Sequence, residues 1–135
     1  MSALEARESA ASNASGALWG VLALLVLSVA INYIDRGSLS IAAPALKDEL
    51  AISTSELGIL LSSFFWTYSL FQIVSGWLVD RFPVNWMLAG GFLLWSAATA
   101  ATGLVRGFAL LLLLRLVLGV GESAAYPCYS KILAG

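Results

Sequence analysis

The chain has 135 residues, 60% hydrophobic and 11% charged, with a net charge of -1 and a mean hydropathy of +0.90. Soluble domains carry about 25% charged residues, so this composition excludes an ordinary water-soluble fold and points to an integral membrane chain. Its balanced charge offers no basic surface for nucleic acid, its single cysteine (Cys128) excludes an intrachain disulfide or a CxxC metal site, and with no histidine any proton chemistry falls to carboxylates.

At about 20 residues per crossing, the length suffices for four spanning helices, an all-α membrane protein. Residues 1–16 read as a polar tail. They carry Glu5, Arg7 and Glu8 where a cleavable signal would carry a basic segment, so the apolar run that follows is expected to be a true span over about 17–43, stopped by Pro44. Lys47-Asp48-Glu49 forms a polar connection. Ser53 and Glu56 then have the spacing of a capping box, which opens a second helix over about 55–79. The charges and proline of Asp80-Arg81-Phe82-Pro83 end it. A third helix, about 84–105, has no charge; Trp86 reads as an interface anchor and Trp95 as a packed ring. The fourth, about 108–133, contains Pro127, where a kink is expected. The chain stops close after that helix without a polar tail, so it is expected to be part of something longer. Counting Lys and Arg outside the spans gives Arg7 and Arg81 on one side against Lys47 and Arg106 on the other, which selects no orientation.

Four ionisable residues, Asp35, Arg36, Arg115 and Glu122, lie inside the expected spans. Each would cost about 2.5 to 3.5 kcal/mol near a bilayer centre if unpaired, so such residues face a protein interior or a wet cavity and mark a path for an ion or polar solute. Asn32, Asp35 and Arg36 fall at i, i+3, i+4 on one helix face, with Ser40 a turn beyond. Arg115, Gly119, Glu122, Tyr126 and Tyr129 make a second stripe, and Gly119 with Gly121 allows close helix approach. Seven residues separate Arg115 from Glu122 by roughly 10 Å along the axis, too far for one tight ion pair. Asp35 and Arg115 lie at one depth if their helices are neighbours, and Tyr68 and Gln72 lie near the middle of the second span. The expected cavity is lined by Asn32, Asp35, Arg36, Tyr68, Gln72, Arg115 and Glu122. Plainer roles compete: Tyr68 reads as a packed aromatic, Gln72 as an interhelical hydrogen bonder, Ser62, Ser69 and Ser75 as packing residues, and Asp35 with Arg36 as a structural pair.

Three motifs resemble the major facilitator superfamily of secondary transporters, and within it the anion:cation symporter group of hexuronate, aldarate and related organic acid carriers. Asn32-Tyr33-Ile34-Asp35-Arg36, continuing to Pro44, is similar to that group's first-helix signature. Gly76 to Arg81 resembles the GxxxDR loop between helices two and three, and Arg115 to Glu122 the RxxxGxGE pattern of helix four. The resemblance implies a duplicated six-plus-six bundle of which this chain supplies helices one to four of the first half, with the remaining helices absent. It places the chain in a bacterial inner membrane as a multi-pass protein, with the tail and the Asp80-Arg81 loop cytoplasmic. One departure is that Pro83, Val84 and Asn85 stand where the family loop continues with glycine and basic residues, which weakens a latch role for this loop.

The function expected from these readings is secondary transport of a small organic anion, a sugar acid or related carboxylate, by proton symport. Arg36 is expected to hold the carboxylate in its planar donor fork, and Tyr68 to hydrogen-bond the substrate, with Tyr33 and Gln72 completing the substrate-binding set. Asp35, Arg115 and Glu122 form the expected charge network, Glu122 being the proton carrier because burial penalises its charged form. Gly76, Asp80 and Arg81 form the loop motif. No nucleophile, base and metal constellation supports an enzyme, and no catalytic residue, metal or cofactor is expected. Two other readings are a complete four-helix multidrug-type exporter working as a dimer, against which the buried arginines count, and a structural membrane subunit.

Overall fold

The structure, a computed structural model, describes residues 3–135. It is all helical in its regular elements: α1 Ala3–Leu50, α2 Thr54–Arg81, α3 Val84–Thr102, α4 Phe108–Ser123 and α5 Ala125–Ala134, with no strand among the described residues. Four segments are long and apolar enough to cross a membrane: Ala11–Leu50, Thr54–Arg81, Val84–Thr102 and Phe108–Ala134. The chain divides into two compact units, the first ending at Gly37 and the second beginning at Ser38.

Helix α1 departs from the expected 17–43 at both ends. It starts at Ala3, because the supposed tail is rich in alanine, the best helix former. It also runs through Pro44 to Leu50. A proline removes one amide, here the donor that Ser40 would accept, but its fixed φ is helical, and membrane helices tolerate the loss. The true stop is Ala51, with φ of 52° in the left-handed region. Its amide donates to the Asp48 carbonyl at 3.4 Å and the Ile52 amide to the Lys47 carbonyl at 3.2 Å, a Schellman pair that satisfies the last carbonyls of α1.

The expected capping box opens α2. The Ser53 hydroxyl accepts from the Glu56 amide at 3.1 Å, and the Glu56 carboxylate accepts from the Ser53 amide at 2.8 Å. At the other end the Phe82 amide donates to the Leu78 carbonyl at 2.9 Å, and the Lys131 ammonium donates to the Val79 carbonyl. Helix α3 ends at Thr102, three residues short of the expected Val105, where Gly103 caps it.

Within the second unit α4 lies between α2 and α3, and two glycines explain how. Residues 119 and 121 are two apart, so they point about 200° from each other around the helix. A Cβ on Gly119 would meet the α2 backbone, at 2.5 Å from the Phe64 oxygen and 3.0 Å from the Tyr68 nitrogen. A Cβ on Gly121 would meet α3, at 3.0 Å from the Trp95 nitrogen and 3.2 Å from the Gly91 oxygen. Such small residues permit the close backbone approach that membrane helices use in place of a hydrophobic driving force. Phe64, Trp95, Ala98 and Leu118 form the buried cluster of this seam. Two side-chain hydrogen bonds cross from α2 to α4: Thr67 donates to the Leu116 carbonyl at 2.8 Å, and the Ser75 and Ser123 hydroxyls lie 3.0 Å apart. As expected, Trp95 is packed and Trp86 is exposed.

The last span breaks at Ala124. Pro127, lacking an amide, leaves the Ser123 carbonyl without its helical donor, and the chain restarts at Ala125 with the proline in the first turn, where helical amides lack partners anyway.

Candidate functional site

The first-helix motif lies in the first unit. Asn32 is buried with 2% of its surface exposed, Asp35 and Arg36 are half-buried, and Tyr33 points outward at 59%. The Arg36 guanidinium carbon lies 5.8 Å from the centroid of the Tyr33 ring, within cation–π range. Asn32 differs from its neighbours in its bonding. Both its side-chain oxygen and nitrogen are buried, and neither has a hydrogen-bond partner among the described residues. Leaving a buried polar group unpaired costs about 1–3 kcal/mol.

The other expected residues lie in the second unit. On α4, Arg115 is buried and Glu122 completely so, two turns apart on the same stripe. A helix facing only hydrocarbon would not hold two such groups inward unless the interior had a use for them. The Arg115 guanidinium carbon sits 5.2 Å from the Phe64 ring centroid, and Tyr68 stacks on that same ring at 5.5 Å with 20° between planes. Phe64 therefore joins the α4 arginine to the α2 tyrosine. Gln72, one turn beyond Tyr68, is half-buried.

The loop motif has a different character. Asp80 and Arg81 are exposed, and the Arg81 guanidinium stacks 4.2 Å from the Trp77 ring centroid. A Cβ on Gly76 would meet nothing within 4 Å, so no close approach in this chain requires glycine there.

A cavity of about 330 Å³ opens between α2, α3 and the break after α4. Phe71, Val74, Leu78, Met87, Leu94 and Val120 line it with apolar surface, and none of the expected site residues contributes. Ser75 is the one hydroxyl-bearing residue in the lining and no charged side chain contributes, so a charged solute would lose its hydration there with no opposite charge to offset the loss. No cluster of histidine, cysteine, aspartate or glutamate among the described residues could hold a metal ion.

The sequence motifs did not single out Phe64, the ring on which Arg115 and Tyr68 converge, nor Lys131, which ties α5 to the end of α2. The i, i+4 spacing of Phe64 and Tyr68 was the available signal for the first. None existed for the second, because its acceptor is a backbone carbonyl 52 residues away.

Known proteins include relatives of this chain. The chain is 39% identical over 111 residues to a probable sulfoacetate transporter of Cupriavidus necator, covering 82% of this chain and 26% of that protein. It is 39% identical over 110 residues to a probable L-galactonate transporter of Escherichia coli, covering 82% and 24%. It is 35% identical over 113 residues to a hexuronate transporter of Bacillus subtilis, covering 84% and 27%. The chain thus spans about a quarter of the length of these relatives. Residues 25–135 match the Major Facilitator Superfamily, and with four segments able to cross a membrane the chain belongs to that superfamily, a family of multi-pass membrane transporters and not of enzymes.

Proposed function

We propose that this chain supplies the first four helices of a longer carrier that moves a small organic anion, a sugar acid or related carboxylate, by proton symport. Its setting is a bacterial inner membrane, with the N-terminal end and the Asp80-Arg81 loop on the cytoplasmic side. The observation that carries this reading is the inward burial of Arg115 and Glu122 on one stripe of a membrane-spanning helix. The relatives support the substrate class, since galactonate, hexuronates and sulfoacetate are all anions.

In this mechanism Arg36 binds the substrate carboxylate, because guanidinium stays charged when buried and offers two parallel donors to two oxygens. Tyr68, held by its stack on Phe64, presents its hydroxyl to the substrate, with Tyr33 and Gln72 contributing further contacts. Glu122 takes up and releases the coupled proton, and Arg115 balances its charge when the proton is absent. Asp35, next to Arg36 in the chain, supplies the acidic member of the proposed charge network at that end. The remaining helices of the carrier complete the site.

Arg36→Ala in the full-length carrier tests the clamp. Substrate binding to the purified protein should be lost, and normal affinity would overturn the assignment.

A further inference from the structure

The amide of Asn32 is the buried polar group that the proposed mechanism leaves without a task. Ser28, Asn32 and Arg36 follow one another at four-residue spacing along one face of α1, so Asn32 stands one turn, about 6 Å along the axis, before the residue whose guanidinium is proposed to hold the carboxylate. Asn32 is 2% exposed, and neither of its side-chain polar atoms meets a partner among the described residues. A carboxamide offers two donors and two acceptor lone pairs. A hydroxyl group is its natural complement, since it both donates and accepts, whereas a carboxylate only accepts and an ammonium only donates. Buried polar groups in folded proteins are nearly always satisfied, so an amide that the chain leaves open invites a ligand carrying such groups.

We infer that Asn32 is a specificity residue that reads a hydroxyl of the transported acid, selecting hydroxylated carboxylates over acids of equal charge that lack the hydroxyl. The inference rests on the transport reading above and sharpens it. Arg36 senses the charge, which every organic acid carries. Asn32 senses the carbon chain beside it. A site built to hydrogen-bond a hydroxyl rejects the analogue without it more strongly than an apolar pocket rejects an extra one, because its own polar groups are then left unpaired.

The test uses the purified full-length carrier and Asn32→Leu, which keeps the volume and removes the amide. Thermal stabilisation and uptake competition are measured with a polyhydroxy acid and with the deoxy acid of the same length and charge. The wild type should prefer the polyhydroxy acid. The variant should lose at least about tenfold in apparent affinity for it, while its affinity for the deoxy acid and its melting temperature without ligand stay unchanged or rise. A variant that retains the wild-type preference, or that weakens for both acids equally, would overturn the assignment and make Asn32 a packing residue. A wild type that neither acid stabilises would overturn the transport reading itself, and the role of Asn32 with it.

Discussion

Replacing Gly119 with alanine tests whether the α2–α4 seam is set by backbone contact. The added methyl would lie 2.5 Å from the Phe64 carbonyl oxygen and 3.0 Å from the Tyr68 nitrogen, roughly 1 Å inside ordinary carbon contact, and would also strike the Thr67 hydroxyl. Backbone atoms cannot rotate aside as side chains do, so α2 would have to translate. That movement would break the 2.8 Å bond from Thr67 to the Leu116 carbonyl and shift Phe64 beneath Arg115. Overpacking of this kind costs about 1–3 kcal/mol, whereas glycine to alanine in an open helix position gains up to about 1 kcal/mol. Gly90→Ala supplies the open comparison, because a Cβ there meets nothing within 4 Å. The difference between the two variants isolates the clash, and it should be at least about 1 kcal/mol against Gly119→Ala. Denaturant or thermal unfolding of the full-length carrier in detergent measures it, with all variants compared at one detergent concentration. Equal stability of the two variants would refute the packing described here.

Two further outcomes follow from hydrogen bonding and backbone strain. In a double-mutant cycle, Ser123→Ala should destabilise by about 0.5–1.5 kcal/mol and by more than Ser75→Ala, while the double variant costs less than their sum, because Ser123→Ala strands the buried Ser75 hydroxyl whereas Ser75→Ala leaves Ser123 its bond to the Val120 carbonyl at 2.6 Å; strict additivity would show that the two hydroxyls do not interact. Ala51→Gly should leave stability unchanged or raise it by up to about 1 kcal/mol, since relief of the left-handed φ of 52° outweighs the entropy of glycine; a loss on the same unfolding measurement would show that α1 does not end in this motif.

Local chemistry was legible in the chain where it depended on a few neighbouring residues. Ser53 and Glu56 announced their capping box, because both partners lie within one helical turn. Gly119 and Gly121 announced close approach, and Trp95 its burial, because a small residue or an uncharged run has few other uses in a membrane helix. Pro44 misled for a physical reason: proline removes a single hydrogen bond, and a long apolar helix tolerates that, so the stop came at Ala51 through two backbone bonds that carry no residue signature. Alanine is an unusual occupant of that left-handed position, where glycine would have marked the end. Pairings between helices were out of reach. Thr67 with Leu116, Ser75 with Ser123 and Lys131 with Val79 depend on the rotation and register of whole helices, which no local spacing specifies. Burial of Arg115 and Glu122 was legible, because ionised groups in a span have nowhere else to go. The aromatic ring beneath Arg115 was not, since it comes from another helix.

Glu122, wholly buried on α4, is the group proposed to move the coupled proton. Reconstituting the full-length carrier and Glu122→Gln into vesicles, and measuring organic anion entry with and without an imposed pH gradient, tests this directly. Wild type should accumulate the anion uphill when the outside is acidic, whereas the glutamine variant should exchange internal for external anion at near-normal rates yet accumulate none. Gradient-driven accumulation by the variant at the wild-type level would contradict the proposed role of this carboxyl.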